Sequence, residues 1–219
     1  MQRNLLRHLA VVSIALVPAV YLMIKWDKIP GVVPVHFNAS FEPDRYSPKN
    51  ELWTIVGIMT GTSLLTYLLL ENLHKIDPKR KGKELPAVIS KLSTGTAMFM
   101  SALCLLVILS CIGKEHLFDR FLLPMLGFLF AFLGNLMHSI KPNYFAGIRI
   151  PWTLRSDNNW KETHQFAGKL WFWTGITMIL IGLFMPVPSL AYIVPIATLI
   201  MVLLPILYSY NIHRNTIKD

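Results

Sequence analysis

The polar chemistry of this chain is concentrated between Gly134 and Trp171, in the stretch GNLMHSIKPNYFAGIRIPWTLRSDNNWKETHQFAGKLW. Arg149, Trp152, Arg155, Trp160, Glu162 and His164 crowd together within it. Three chemistries are available to such a set. His164 with Glu162 has the residue types of a general base and its orienter. Two positions apart on a helix, however, they diverge by roughly 200°, and no nucleophile stands beside them. The sequence therefore predicts no catalytic residue. Arg149 and Arg155 beside a helix N-terminus, whose free N–H groups favour negative charge, suit an anionic headgroup or a partner's carboxylate. The third reading is a packing and capping knot at one end of a helix bundle. Metal ligation would need His36, His138 and His164 to meet, and the topology below separates His36 from the other two. No metal or cofactor is expected.

The elements that hold this stretch are read from hydropathy. The chain has 219 residues, 53% hydrophobic and 15% charged, whereas soluble domains carry about 25% charged residues. Six apolar runs account for the deficit: 9–24, 52–70, 88–112, 121–138, 168–185 and 190–210. Each offers the roughly 17 to 25 residues that cross a ~30 Å hydrocarbon core. The first begins after Arg3 and Arg7 as a signal peptide does. With no small-x-small cleavage site after it, it reads as an uncleaved helix bent at Pro18. Gly57 and Gly61 form a GxxxG spacing that would admit a close neighbour in the second span. The segment GKEHLFDR reads as a turn before the fourth span, and Trp171 and Trp173 as interfacial anchors opening the fifth. Cys104 and Cys111, the two cysteines, lie about 10.5 Å apart along one helix, too far for a disulfide.

Within the central stretch, Pro142 and Pro151 predict an irregular loop over 141–155, with Trp152 and Leu154 tucking it back against the bundle. Ser156 or Asp157 caps a helix that runs into the fifth span. Trp160, His164, Ala167 and Trp171 fall at spacings of four, three and four, one helical face.

The net charge of +9 would suggest nucleic-acid binding in a soluble protein; here it reflects basic residues kept beside the cytoplasmic face, so no direct nucleic-acid binding is expected. With six spans and the N-terminus inside, fifteen of the 21 lysines and arginines fall on the cytoplasmic side and six outside. The positive-inside rule then puts both termini and the central stretch in the cytoplasm. The first loop, 25–50, faces outward. Its prolines 30, 34, 43 and 48 forbid a long helix, Val32, Val33, Val35 and Phe37 suggest a short extended piece, and Pro43–Asp44 signals a turn. A basic run, KIDPKRKGK over 75–83, reads as a topology determinant that feels anionic lipid, or as a dock for an acidic partner.

Several of these residues carry a resemblance. Gly134–Asn135, Asn143-Tyr144-Phe145-Ala146-Gly147-Ile148-Arg149, Pro151-Trp152-Thr153-Leu154, Trp160, Thr163–His164 and Gly168 resemble the signature of the SdpI-like family. Its members are bacterial membrane proteins named for immunity to a secreted killing peptide. Pro34-Val35-His36-Phe37-Asn38 and Pro43-Asp44-Arg45 resemble the domain of unknown function that often precedes that signature. Two positions depart from the pattern. Phe41 stands where a glycine is usual, and Ile150 replaces a threonine before PWTL, removing a hydroxyl that would fix the loop.

The resemblance implies an all-α, polytopic protein of the bacterial cytoplasmic membrane, embedded in its lipid bilayer. Its parts would be a helix pair with the outer loop (1–74), a basic cytoplasmic loop (75–87) and an SdpI-like helical region (88–211) carrying a signature loop at 139–168. It implies two non-enzymatic activities: resistance to a membrane-active peptide toxin outside, and signalling by holding a transcriptional repressor inside. His36, Asn38, Asp44 and Arg45 would serve the outer sensing loop. Asn143, Arg149, Trp152, Arg155, Trp160 and His164 would serve the cytoplasmic ligand or partner site. The alternative reading is a small transporter or a lipid- or anion-binding protein, suggested by Arg149 and by prolines in the first, fourth and sixth spans.

Overall fold

The computed structural model describes residues 2–38, 43–78, 87–112, 115–185 and 190–216. Among the described residues, six helices of 21 to 28 residues are long and apolar enough to span a membrane. They are α1 (Gln2–Lys25), α2 (Glu51–Glu71), α4 (Ala87–Ser110), α5 (Glu115–Met137), α7 (Asp157–Phe184) and α8 (Leu190–Thr216). Short helices α3 (Leu73–Ile76) and α6 (Pro151–Arg155) sit at one end. At 1.5 Å per residue the long helices measure about 31 to 42 Å. Large apolar side chains such as Leu65, Leu69, Leu180, Leu199 and Leu203 ring the outside and stay exposed, as a lipid-facing surface requires. The chain is a multi-pass membrane protein.

Several element boundaries differ from those expected. GKEHLFDR is not a turn throughout, since α5 already begins at Glu115. Pro151 does not break a helix but starts one: it occupies the first position of α6, where its missing N–H has no partner to lose. The basic run continues only to Pro78 among the described residues, so Lys79, Arg80, Lys81 and Lys83 lie outside them.

The expected extended piece is a two-stranded antiparallel hairpin, β1 (Val32–Phe37) and β2 (Pro43–Pro48). Val33 pairs with Ser47 and His36 with Arg45. Pro43 and Asp44 belong to the second strand rather than to a turn, and Phe41 lies outside the described residues. A two-strand ribbon has only edges, which is why prolines are tolerated in both strands. Val33 is buried, with Leu22, Ile29, Leu52, Ile108 and Cys111, in a core that fastens the hairpin to the ends of α1, α2 and α4. The Phe37 ring stacks on Phe118 of α5 at 4.4 Å between centroids.

Close helix packing occurs where the sequence did not advertise it. Gly57 and Gly61 are exposed, and a Cβ at either would meet nothing within 4 Å. Instead α5 and α7 run antiparallel along glycines that recur every seven residues, Gly127 and Gly134 on one helix and Gly168, Gly175 and Gly182 on the other. A Cβ at Gly134 would lie 2.7 Å from the Gly168 carbonyl oxygen, one at Gly175 2.4 Å from the Gly127 carbonyl oxygen, and one at Gly182 2.5 Å from Pro124 Cδ. Backbones this close exchange dispersion energy that lipid cannot supply.

Two proline positions are repaired from neighbouring helices. Pro18 lacks the N–H that would bond the Ile14 carbonyl, and Ser101 Oγ of α4 donates to that carbonyl at 2.7 Å. Pro205 likewise frees the Met201 carbonyl, which accepts the Trp171 indole N–H at 2.9 Å. Trp171 therefore points into the bundle rather than acting as an interfacial anchor, while Trp173 is 66% exposed.

Candidate functional site

The loop that follows α5 is built from its own side chains. Asn143 is 1% exposed. Its Oδ1 accepts the N–H groups of Phe145 (2.8 Å) and Ala146 (2.7 Å), and its Nδ2 donates to the carbonyls of Lys141 and Ala146, both at 2.9 Å. All four hydrogen-bonding positions of the amide are taken. Gly147 follows at φ 107°, and a Cβ there would stand 2.3 Å from His164 Nε2. Glycine is required on both counts.

His164 closes the knot from α7. Its Nε2 accepts the Ile148 N–H at 3.0 Å, and its Nδ1 lies 2.7 Å from the Trp160 carbonyl. A nitrogen that accepts an N–H carries no proton, so the ring is the neutral Nδ1–H tautomer. It stacks on Trp160 at 4.1 Å, and the Trp160 indole donates to the Ile140 carbonyl at 2.7 Å. Thr153 adds the last tie: its hydroxyl accepts the Ile150 N–H at 3.1 Å and lies 2.8 Å from the Ile148 carbonyl as donor. A hydroxyl at position 150 is thus unnecessary for fixing this loop.

The six residues expected on this side divide by burial. Asn143, Trp160 and His164 are interior, and their polar atoms are occupied by the fold itself. Arg149 and Arg155 are exposed; Arg149 Nη1 donates to the Tyr144 carbonyl at 2.6 Å. Trp152 is half-buried, stacked near His213 at 5.9 Å and edge-on to Tyr210 at 5.6 Å, which docks α6 on the end of α8. The N-terminus of α7 is partly used. Ser156 Oγ accepts the Asn159 N–H at 3.2 Å, the cap read from sequence, and the Ser156 carbonyl accepts the Trp160 N–H. Glu162 faces away from His164 and accepts from Asn158 at 3.2 Å. No group of three or more His, Cys, Asp or Glu poised for a metal occurs among the described residues.

Two polar clusters escaped sequence reading. Arg7 of α1 is paired with Glu71, which is 8% exposed, and the second Glu71 oxygen accepts the Ser93 hydroxyl at 2.5 Å. His8 sits 2.6 Å from the Tyr67 hydroxyl beside it. On α7, Asn159 donates to the Ser209 carbonyl at 2.9 Å and accepts from Thr163 and Ser209. A charge and its partner 64 positions apart leave no periodic signal; an arginine and a glutamate at the ends of apolar runs were the available hint.

At the opposite end, His36 and Asp44 form an exposed pair, Nδ1 to Oδ1 2.5 Å, with Arg45 across the hairpin from His36. Beneath lies a cavity of about 380 Å³ lined by Val35, Phe37, Asn38, Val107, Phe118 and Leu122. The hairpin residues named from sequence are therefore together at one end of the bundle, and the Asn143–His164 group at the other.

Comparison with known proteins follows the same division. Residues 139–209, covering the loop, α6, α7 and most of α8, match the SdpI/YfhL protein family. Residues 13–60, covering the second half of α1, the hairpin and the first half of α2, match a domain of unknown function, DUF1648. The Immunity protein SdpI of Bacillus subtilis (strain 168) is 24% identical over 176 residues, which is 80% of this chain and 81% of that relative. No solved structure matches the chain. The resemblance carried by the two loops is thus shown on both: one multi-pass membrane protein is similar to DUF1648 over residues 13–60 and to the SdpI/YfhL family over residues 139–209.

Proposed function

We propose that this protein is a non-enzymatic immunity protein of the bacterial cytoplasmic membrane, which intercepts a membrane-active peptide at its hairpin end. The observation that carries this reading is the hairpin held above the 380 Å³ cavity. Its rim bears the His36–Asp44 pair and its walls are aromatic and aliphatic, the mix that takes an apolar side chain and fixes its backbone. The positive-inside distribution orients this end outward. On the cytoplasmic face, exposed Arg149, Arg155 and Lys161 form a basic rim for an acidic surface of a repressor, a contact that strengthens when peptide is bound. Expression in a strain sensitive to secreted membrane-active peptides tests the proposal. Survival that depends on the hairpin supports it; unchanged killing across a panel of such peptides overturns it.

A small transporter draws less support. Two of the prolines that suggested one, Pro18 and Pro205, have their orphaned carbonyls satisfied by Ser101 and Trp171, and a third, Pro124, packs against Gly182.

A further inference from the structure

The outer groove between α4 and α5 is amphipathic from end to end. Near the Arg7 end it opens into a cavity of about 740 Å³ lined by Arg7, Ser90, Lys91, Thr94 and Asn135. Gly95, Met98 and Phe132 line this cavity and also the next one, about 520 Å³, which continues down the groove. The lower cavity is walled by Phe99, Ala102, Pro124, Met125, Phe128 and Leu129 and is almost wholly apolar. From Ser90 to Ala102 the groove follows α4 for about 18 Å, somewhat more than half of a ~30 Å hydrocarbon core.

The charges at the mouth have a definite sign. Lys91 is exposed and has no carboxylate partner among the described residues, and neither cavity is lined by an acidic side chain. Glu71 is occupied by Arg7 and Ser93. The Thr94 hydroxyl and Arg7 Nε are buried without hydrogen-bond partners, donors that a phosphate oxygen would satisfy.

From these features we infer that the α4–α5 groove holds one anionic glycerophospholipid of the surrounding leaflet. Its phosphate sits among Lys91, Thr94 and Arg7, and one acyl chain lies along Met98, Phe128 and Leu129 toward the bilayer midplane. A zwitterionic headgroup would bring its own cation beside Lys91 and Arg7, where no acidic side chain lines the cavity to receive it, and a soluble phosphate would leave the apolar trough without a role. The site is separate from the hairpin, so it stands or falls independently of toxin binding.

The test uses the full chain purified in detergent and exposed to phosphatidylglycerol, phosphatidylcholine or glycerol 3-phosphate, with bound lipid counted by native mass spectrometry. The expected result is retention of phosphatidylglycerol over phosphatidylcholine and no retention of glycerol 3-phosphate. Lys91→Gln should reduce the preference about fivefold, the worth of one basic residue near an anionic surface. Ala102→Trp, which fills the trough from a lipid-exposed position, should abolish retention of either lipid with helical content unchanged. Equal retention of the two lipids by the unaltered protein overturns the inference without recourse to any variant. Binding of glycerol 3-phosphate as strong as that of the lipid does so too, as does a Lys91→Gln or Ala102→Trp protein that retains phosphatidylglycerol like the original.

Discussion

Trp171 donates its indole N–H to the Met201 carbonyl at 2.9 Å, the same group that Pro205 deprives of its intrahelical donor. A residue on α7 thereby makes a proline in α8 tolerable inside lipid, where an unpaired carbonyl has no water to turn to. Trp171→Phe should lower stability by about 1 to 2 kcal/mol, the usual cost of orphaning one buried acceptor or losing one interhelical bond. Pro205→Ala restores the α8 donor, so the double variant should recover much of that loss. Thermal unfolding of the four proteins in one detergent gives the coupling directly; additive effects would break the link.

The glycines between α5 and α7 should be far more sensitive than the GxxxG pair in α2. Gly175→Val forces a side chain into the Gly127 carbonyl and should cost about 3 kcal/mol or more. Gly57→Ala and Gly61→Ala meet open space and should be neutral or stabilising by about 0.5 to 1 kcal/mol each through higher helix propensity. Unfolding midpoints of the three variants separate the two interfaces.

His164 should resist replacement for structural reasons. His164→Ala removes the acceptor of the Ile148 N–H and a stacked ring against Trp160, for a loss of about 2 to 4 kcal/mol. Gly147→Ala should be comparably damaging, because it combines strain at positive φ with a clash on the imidazole. Nitrogen chemical shifts of labelled histidine should show the proton on Nδ1. A proton on Nε2 would contradict the bond to Ile148.

Breaking the Arg7–Glu71 pair from one side should hurt more than removing it whole. Arg7→Ala strands a buried carboxylate, at about 3 kcal/mol. Arg7→Met with Glu71→Met should lie much closer to the original protein. A double-mutant cycle read by thermal unfolding distinguishes this from simple loss of packing.

The proposed peptide site can be closed without touching the bundle core. Leu122→Trp or Val107→Phe should fill the cavity below the hairpin and abolish protection against a membrane-active peptide. His36→Ala should weaken protection about tenfold, while exposed Lys169→Gln at the other end should leave it intact. Survival curves at graded peptide dose provide the readout, with membrane levels of each variant checked by blotting. Full protection by the cavity-filled proteins would move the site elsewhere.

Features that depend on near neighbours are legible in the residues alone. Hydropathy over twenty-residue windows fixed six spans, because lipid leaves a chain no other way to satisfy its backbone. The three-and-four spacing aligned Trp160, His164 and Ala167 on one buried face, and the pair Ser156–Asp157 marked the start of α7, since both are properties of a single helix turn. The loop motifs carried the family resemblance for the same reason. Tertiary structure decided everything that joins distant positions. It chose Gly134, Gly168 and Gly175 over Gly57 and Gly61 for close packing, as any small residue permits approach but only the register of two helices selects which one is used. It gave Trp171 to Met201, Ser101 to Ile14 and Glu71 to Arg7, because an orphaned polar group in a membrane accepts whichever partner folding brings within 3 Å. And it turned Asn143 and His164, polar residues that invite a binding role, into the fastenings of a loop.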